Sequence, residues 1–325
     1  MMTPVQFENL YRADWEQLEN LLCKAHRDGK ASRKTVEGER IAALYRRTCE
    51  HLALSRARAY PAYLVDRLEH LTSEAHQAIY RQRDFGLRRL RALVAVEFPS
   101  AVRKHAAYVW VATAVFVLPT LILGVLVYLR PELILSVVDA QSAAEFERMY
   151  SGAEEAIGRH RDADTDWTMF GYYIRHNIGI SFQCFASGLL AGLGSLFFLA
   201  FNGVFFGALA GYLTERGLGE TFYSFVVTHA AFELTAIVLS GAAGLRIGHS
   251  LLAPGRLTRR QALVAASRES VVIIYGVAAL LLIAAAVEAF WSSARWIPPE
   301  IKYAVAAVCW IAVISYLTLQ GRRAG

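Results

Sequence analysis

Apolar residues recur along the first part of the chain with helical spacing. Phe7, Tyr11, Trp15, Leu18, Leu21, Leu22 and Ala25 fall three or four apart, which predicts one buried stripe on a helix over 3–28. Asp28-Gly29-Lys30 breaks that pattern, and Val36, Ile41, Leu44, Tyr45, Leu52 and Leu54 predict a second helix over about 35–58. Tyr60-Pro61 restarts the chain into a third helix that reaches about Tyr80. Each of these helices alone is marginal in water, but three together can bury a modest core.

Beyond residue 104 the stripes give way to continuous apolar runs. Ala107–Leu129 carries no charge and is long enough to cross about 30 Å of hydrocarbon. Pro119 lies inside it and is expected to kink it, and Arg130-Pro131 ends it. Residues 172–214 carry few charges and as one helix would run about 65 Å, twice a bilayer core. Gly192-Leu193-Gly194-Ser195 is the natural turn, so spans are predicted at about 173–192 and 195–214, with a re-entrant hairpin as the alternative. Further spans are predicted at about 222–245, 270–291 and 301–319, the last two separated by Pro298-Pro299. The expected fold is all-α: a polytopic membrane helix bundle of about six segments behind an N-terminal cytoplasmic helical domain. Residues 1–83 form that domain, 84–104 a basic amphipathic juxtamembrane helix, and 105–325 the membrane domain.

Composition narrows the class. Apolar residues make up 55% of the 325 residues and mean hydropathy is +0.32, above the roughly 45–50% of soluble proteins. A soluble single domain is excluded, and an aromatic content of 12% excludes a disordered chain. Cys23, Cys49, Cys184 and Cys309 are too few and too scattered for a disulfide scaffold, and no CxxC pair exists. Glu8, Asp14, Glu16 and Glu19 argue against a cleavable signal peptide at the N-terminus.

Charge supplies the topology. Residues 1–104 carry 19 Lys/Arg against 13 Asp/Glu, 130–176 carry 5 against 9, and 246–270 carry 5 against 1. The positive-inside rule then places both termini in the cytoplasm, the acidic 130–171 segment outside and the 246–270 arginines inside. That parity requires a hairpin in 172–214. The expected address is the cytoplasmic (inner) membrane of a bacterium.

Arg88, Arg89, Arg91, Arg103 and Lys104 crowd the segment before the first span, with Leu87, Leu90, Leu93, Val94 and Phe98 between them. A basic amphipathic helix there is expected to lie on the anionic leaflet; nucleic acid is not an expected partner, because no recognition motif accompanies the patch. Gly188 and Gly192, then Gly203, Gly207 and Gly211, then Gly244 and Gly248 recur every four residues, which lets helix backbones approach closely. His229 and Glu233 share a helix face at i, i+4, and with Asn177, Asn202 and Glu288 they form a candidate intramembrane polar site. Such residues either lock helices together or serve a proton, an ion or a ligand. His229, Glu233 and Glu288 could supply three metal ligands, but HAAFE is not HExxH, and neither a metal nor a cofactor is expected. GxSxG and phosphate-binding fingerprints are absent, Asp162, Asp164 and Asp166 lack the rest of an EF-hand, and no catalytic residue is assigned.

The stretch from Asn177 to Gly207, with Gly192-Leu193-Gly194 and Asn202-Gly203, resembles the stage II sporulation protein M family of bacterial membrane proteins. So do Thr228-His229-Ala230-Ala231-Phe232-Glu233, the small-residue run Ser240–Gly248, and Ala284–Phe290. The family usually has glycine where Ala230 stands here. The resemblance covers about 100–325 and implies a non-enzymatic membrane scaffold; in spore formers the namesake works with a peptidoglycan amidase/endopeptidase and a lytic transglycosylase during engulfment, a role not carried over to this chain. The added N-terminal helices look like the longer members from bacteria that do not sporulate. Gene neighbourhoods of those members imply MoxR-type ATPases, von Willebrand A proteins and RDD-type membrane proteins as partners. Transport of an ion or small solute is the alternative function; a metal-dependent intramembrane hydrolase is a third. The bilayer itself is a partner, and a homo-oligomer is compatible with the sequence.

Overall fold

The computed structural model describes residues 2–28, 36–80, 86–151, 163–294 and 296–322, and within them not the side chains of 25–28, 36–38, 80, 87, 88 and 163–165. Among the described residues every regular element is helical, as expected. The chain divides into two compact units, Met1–Arg88 and Arg89–Gly325. Arg81, Arg83, Phe85, Asp162 and Arg323, and the side chains of Arg88 and Asp164, lie outside the described residues.

The first unit is built from α1 (Pro4–Asp28), α2 (Val36–Ala57) and α3 (Ala62–Tyr80). Its core holds the predicted stripe of α1: Phe7, Trp15, Leu18 and Leu22 pack with Ile41 and Leu44 of α2 and Leu64, Leu68, Leu71 and Ala75 of α3. One polar pair is sealed inside. The Trp15 indole Nε1 donates to His51 Nδ1 at 3.1 Å, and the Tyr11 ring lies on the imidazole. Burial holds the His51 imidazole below its ordinary pKa, so it is neutral in the folded unit.

α4 (Leu87–Ala92) straddles the boundary, and the second unit continues with a π-helical stretch Leu93–Glu97 and α5 (Phe98–Lys104). Next come α6 (Ala106–Leu129), a 3-10 turn Pro131–Ser136 and α7 (Ala140–Tyr150). α8 (Ala163–Ala186), a 3-10 turn Ser187–Leu189, α9 (Leu193–Glu215) and α10 (Gly219–Leu252) follow. α11 (Arg259–Ala286) continues as a π-helical stretch Val287–Ser292, and α12 (Pro299–Leu319) is the last helix described. α6 runs unbroken through Pro119.

Among the described residues, five helices are long and apolar enough to cross a membrane: Ala106–Leu129, Leu193–Glu215, Gly219–Leu252, Arg259–Ser292 and Pro299–Leu319. The segment expected at 173–192 is not among them. The helix there begins earlier, at Ala163, ends at Ala186, and carries Asp166 and Arg175, which lower its hydropathy. It nevertheless traverses the bundle. Gly203, Gly207 and Gly211 of α9 meet Phe116, Thr120 and Gly124 of α6 in rising order, so α6 and α9 run parallel. The chain must therefore return between them. α8 makes that return beside α10 and parallel to it, from Asn177 near Glu233 to Gly188 against Gly244.

The glycines are where backbones touch. A β-carbon on Gly188 would strike the Gly244 carbonyl, one on Gly207 would strike Thr120, and one on Gly211 would strike Gly124. The reversal between α8 and α9 needs Gly192 in the left-handed region at φ +85°, with its own backbone against Gly248. Ser195 at the start of α9 donates to the Cys184 carbonyl at 2.6 Å, which ties the hairpin shut.

The basic segment does not form one free amphipathic helix. Phe98 is buried with its ring on Gly276 of α11, and the Tyr316 hydroxyl of α12 donates to the Val94 carbonyl at 2.6 Å. Arg103 donates to the Leu317 carbonyl at 2.9 Å and to Ser100 Oγ at 3.1 Å. Lys104 pairs with Glu269 at 2.7 Å, and Arg246 reaches the same carboxylate at 3.1 Å. Arg103 and Lys104 thus also bond within the bundle, Lys104 from an exposed position, and Arg89 and Arg91 are exposed. His105, beside Glu269 at 3.5 Å, is held below its ordinary pKa by burial, partly offset by that carboxylate.

Two outcomes are expected. Gly244→Val should destabilise the detergent-solubilised protein by about 1–3 kcal/mol in thermal unfolding, whereas Gly179→Ala, whose β-carbon meets nothing within 4 Å, should leave it unchanged or slightly more stable. His51 binds fewer protons folded than unfolded, so its neutral packing stabilises above about pH 6.5 and is lost on acidification. The melting difference between wild type and His51→Gln in the first unit should therefore shrink from pH 7.5 to pH 5.5.

Candidate functional site

Three elements bring the polar residues together. α8 contributes Asn177, α10 contributes His229 and Glu233 one turn apart, and the π-helical end of α11 contributes Glu288 and Ser292. A π-helical turn inserted at the end of a long helix re-aims the side chains on it, and such turns are frequent at functional sites. His229 Nε2 lies 3.9 Å from Glu233 Oε2, and His229 Nδ1 lies 3.0 Å from Ser292 Oγ. One ligand atom each from His229, Glu233 and Glu288 falls within 4.8 Å of the others.

These groups line a cavity of about 370 Å³. Its walls are aromatic: Tyr150 and Phe222 meet edge to face with centroids 5.3 Å apart, and Phe225 meets the His229 ring in the same way at 5.4 Å. α7, the start of α8 and the start of α10 supply most of these walls, so the cavity belongs to the α7 end of the bundle. Toward the opposite end the glycine contacts of α8, α9 and α10 close the space.

Burial sets the energetics. Asn177 is 1% exposed and His229 is 4% exposed. Among the described residues, Asn177 Nδ2 and Glu288 Oε2 are buried without a hydrogen bond of good geometry, although the two side chains face each other. A buried polar atom left unpaired costs about 1–3 kcal/mol. Such atoms in a polar cavity need an explanation: an unseen water, a shared proton or a ligand.

Of the candidate residues read from the sequence, Asn177, His229, Glu233 and Glu288 meet in this cavity. Asn202 does not. It sits on α9, half-buried, and its amide donates to the Phe198 carbonyl one turn back at 2.7 Å. Two residues were missed. Ser292 orients the imidazole, and the buried Lys302 of α12 donates to the Ser292 carbonyl at 2.8 Å. Lys302 follows Pro298-Pro299 and Glu300, where a lysine reads as an interfacial anchor; only the crossing of α12 beside α10 brings it inward.

An all-helical bundle with five long apolar helices and a buried carboxylate–imidazole cluster is a multi-pass α-helical membrane protein. A family model described as Stage II sporulation protein M matches residues 108–293, and the chain belongs to that family. The resemblance carried by Asn177–Gly207 and Thr228–Glu233 is thereby borne out. A second model, described as Domain of unknown function (DUF8413), matches residues 5–81. No curated protein and no solved structure matches the chain.

If Ser292 is what orients His229, Ser292→Ala should lower stability by about 1–3 kcal/mol by orphaning a buried imidazole nitrogen. Asn202→Ala should cost less, about 1 kcal/mol or below, because its bond is local and half-buried. Thermal unfolding of both variants in the same detergent checks the order.

Proposed function

We propose that the chain is a non-enzymatic scaffold of the cytoplasmic membrane that organises a cell-envelope protein complex. Both termini face the cytoplasm in this reading, and the helical unit at 1–88 docks a cytoplasmic partner such as a MoxR-type ATPase or the soluble face of an RDD-type membrane protein. The observation that supports it is the backbone-to-backbone closure of α8, α9 and α10 at Gly188, Gly192, Gly244 and Gly248. A carrier must open and close that half of the bundle. Helices that meet without intervening side chains have little room to part and re-form, whereas a fixed platform benefits from the contact.

Transport of an ion or small solute is the second reading, favoured by the His229–Glu233–Glu288 cluster in a cavity at the α7 end. In-membrane cross-linking of tagged protein, with Glu233→Gln in parallel, separates the two. The scaffold predicts the same specific envelope or ATPase partner in both samples. Absence of a reproducible partner, together with a liposome flux that Glu233→Gln abolishes, would replace it with transport. Arg89→Glu/Arg91→Glu should weaken association with anionic vesicles while leaving the partner set intact.

A further inference from the structure

We propose that His229, Glu233 and Glu288 form a binding site for a divalent transition-metal cation, represented here by Zn²⁺, with one coordination position open to the cavity. The inference does not depend on the scaffold reading, since a metal in this position serves a fixed platform or a moving one.

The donor set carries the argument first. One imidazole and two carboxylates suit zinc, manganese or ferrous iron better than calcium or magnesium, which favour all-oxygen shells. Ligands about 2.0–2.1 Å from a tetrahedral zinc stand roughly 3.4 Å apart. Here the imidazole and the Glu233 carboxylate are 3.9 Å apart, and the three atoms lie within 4.8 Å. Reaching that spacing shortens these separations by about 0.5–1.4 Å.

The imidazole is prepared for the role. With Nδ1 directed at Ser292 Oγ, an Nδ1–H tautomer donates to the hydroxyl and leaves the Nε2 lone pair facing Glu233. A ligating histidine is commonly held in this way by an outer partner on its other nitrogen. Ser292 is in turn held through its carbonyl by the Lys302 ammonium at 2.8 Å. That bond fixes the backbone on which the serine sits.

Independent support comes from Asn177. It is 1% exposed, lines the same cavity from a third helix and faces the Glu288 carboxylate, yet its Nδ2 has no hydrogen bond of good geometry among the described residues. Glu288 Oε2 is likewise buried without one. A metal-bound water in the fourth position would give Asn177 and the second oxygen of Glu288 a group to bond. Tyr150 and Tyr173 border the space where that water would sit.

The test uses the full-length, tag-free protein in detergent, stripped with a chelator, desalted and titrated with ZnCl₂. Elemental analysis is expected to give one zinc per chain, with a rise in melting temperature on loading. Glu233→Gln, Glu288→Gln and His229→Gln should each weaken binding at least tenfold, while His70→Gln, on an exposed surface of the first unit, should bind normally. Zinc K-edge absorption of the wild type should show a nitrogen/oxygen shell with a single histidine and no sulfur. Asn177→Asp guards against variants that fail to fold, because an added carboxylate should tighten binding in a folded protein. No stoichiometric zinc in the wild type would overturn the proposal and leave a carboxylate pair sharing a proton. Zinc retained undiminished in the three glutamine variants, or a sulfur-containing shell, would overturn it equally.

Discussion

Lipid tails are as apolar as leucine, so helices in a bilayer are held together by close van der Waals contact rather than by the expulsion of water. In this chain that contact is made at glycines. Gly203, Gly207 and Gly211 let α9 lie on α6, and Gly188 and Gly192 let the α8–α9 hairpin lie on Gly244 and Gly248 of α10. The other features of the bundle follow from these seams. They set α6 and α9 parallel, which obliges α8 to run back, and they fix α8 along α10 at a definite height.

That height decides the chemistry. With Gly188 against Gly244, Asn177 reaches the level of His229 and Glu233. α11, antiparallel to α10 from Glu269 near Arg246 onward, arrives at the same level as its π-helical end begins. The polar residues are therefore gathered at the α7 end by contacts made at the other end. An apolar bundle tolerates two carboxylates only where something answers their charge. Lys302 and Ser292 fix the imidazole that stands beside these carboxylates.

Much of this architecture was legible in the residues. The i, i+4 glycines marked the seams, because no other residue permits that approach. The i, i+4 spacing of His229 and Glu233 put them on one face whatever the tertiary fold. Phe7, Trp15, Leu18 and Leu22 announced the core of the first unit. Features that depend on a partner's position were not legible. Asn202 looks as polar as Asn177, but a single helix does not reveal which face meets α10. Arg103 and Lys104 read as part of a basic surface patch, and nothing local tells of their contacts with Leu317 and Glu269. Ser292 and Lys302 are separated from His229 by more than sixty positions, and nothing local marks them. The length of α8 was hidden because Arg175 and Asp166 break the apolar pattern on which a span is recognised.

The course of α8 has a consequence for biogenesis. Asp166 and Arg175 make α8 less apolar than the five long helices and a poorer substrate for insertion on its own. Its seam with Gly244 and Gly248 cannot form until α10 has been synthesised, and α9 must already have turned back by then. The order in which the segments leave the ribosome thus differs from the order in which they can settle. The glycines of α10 form a surface that α8 needs but that is made only after it.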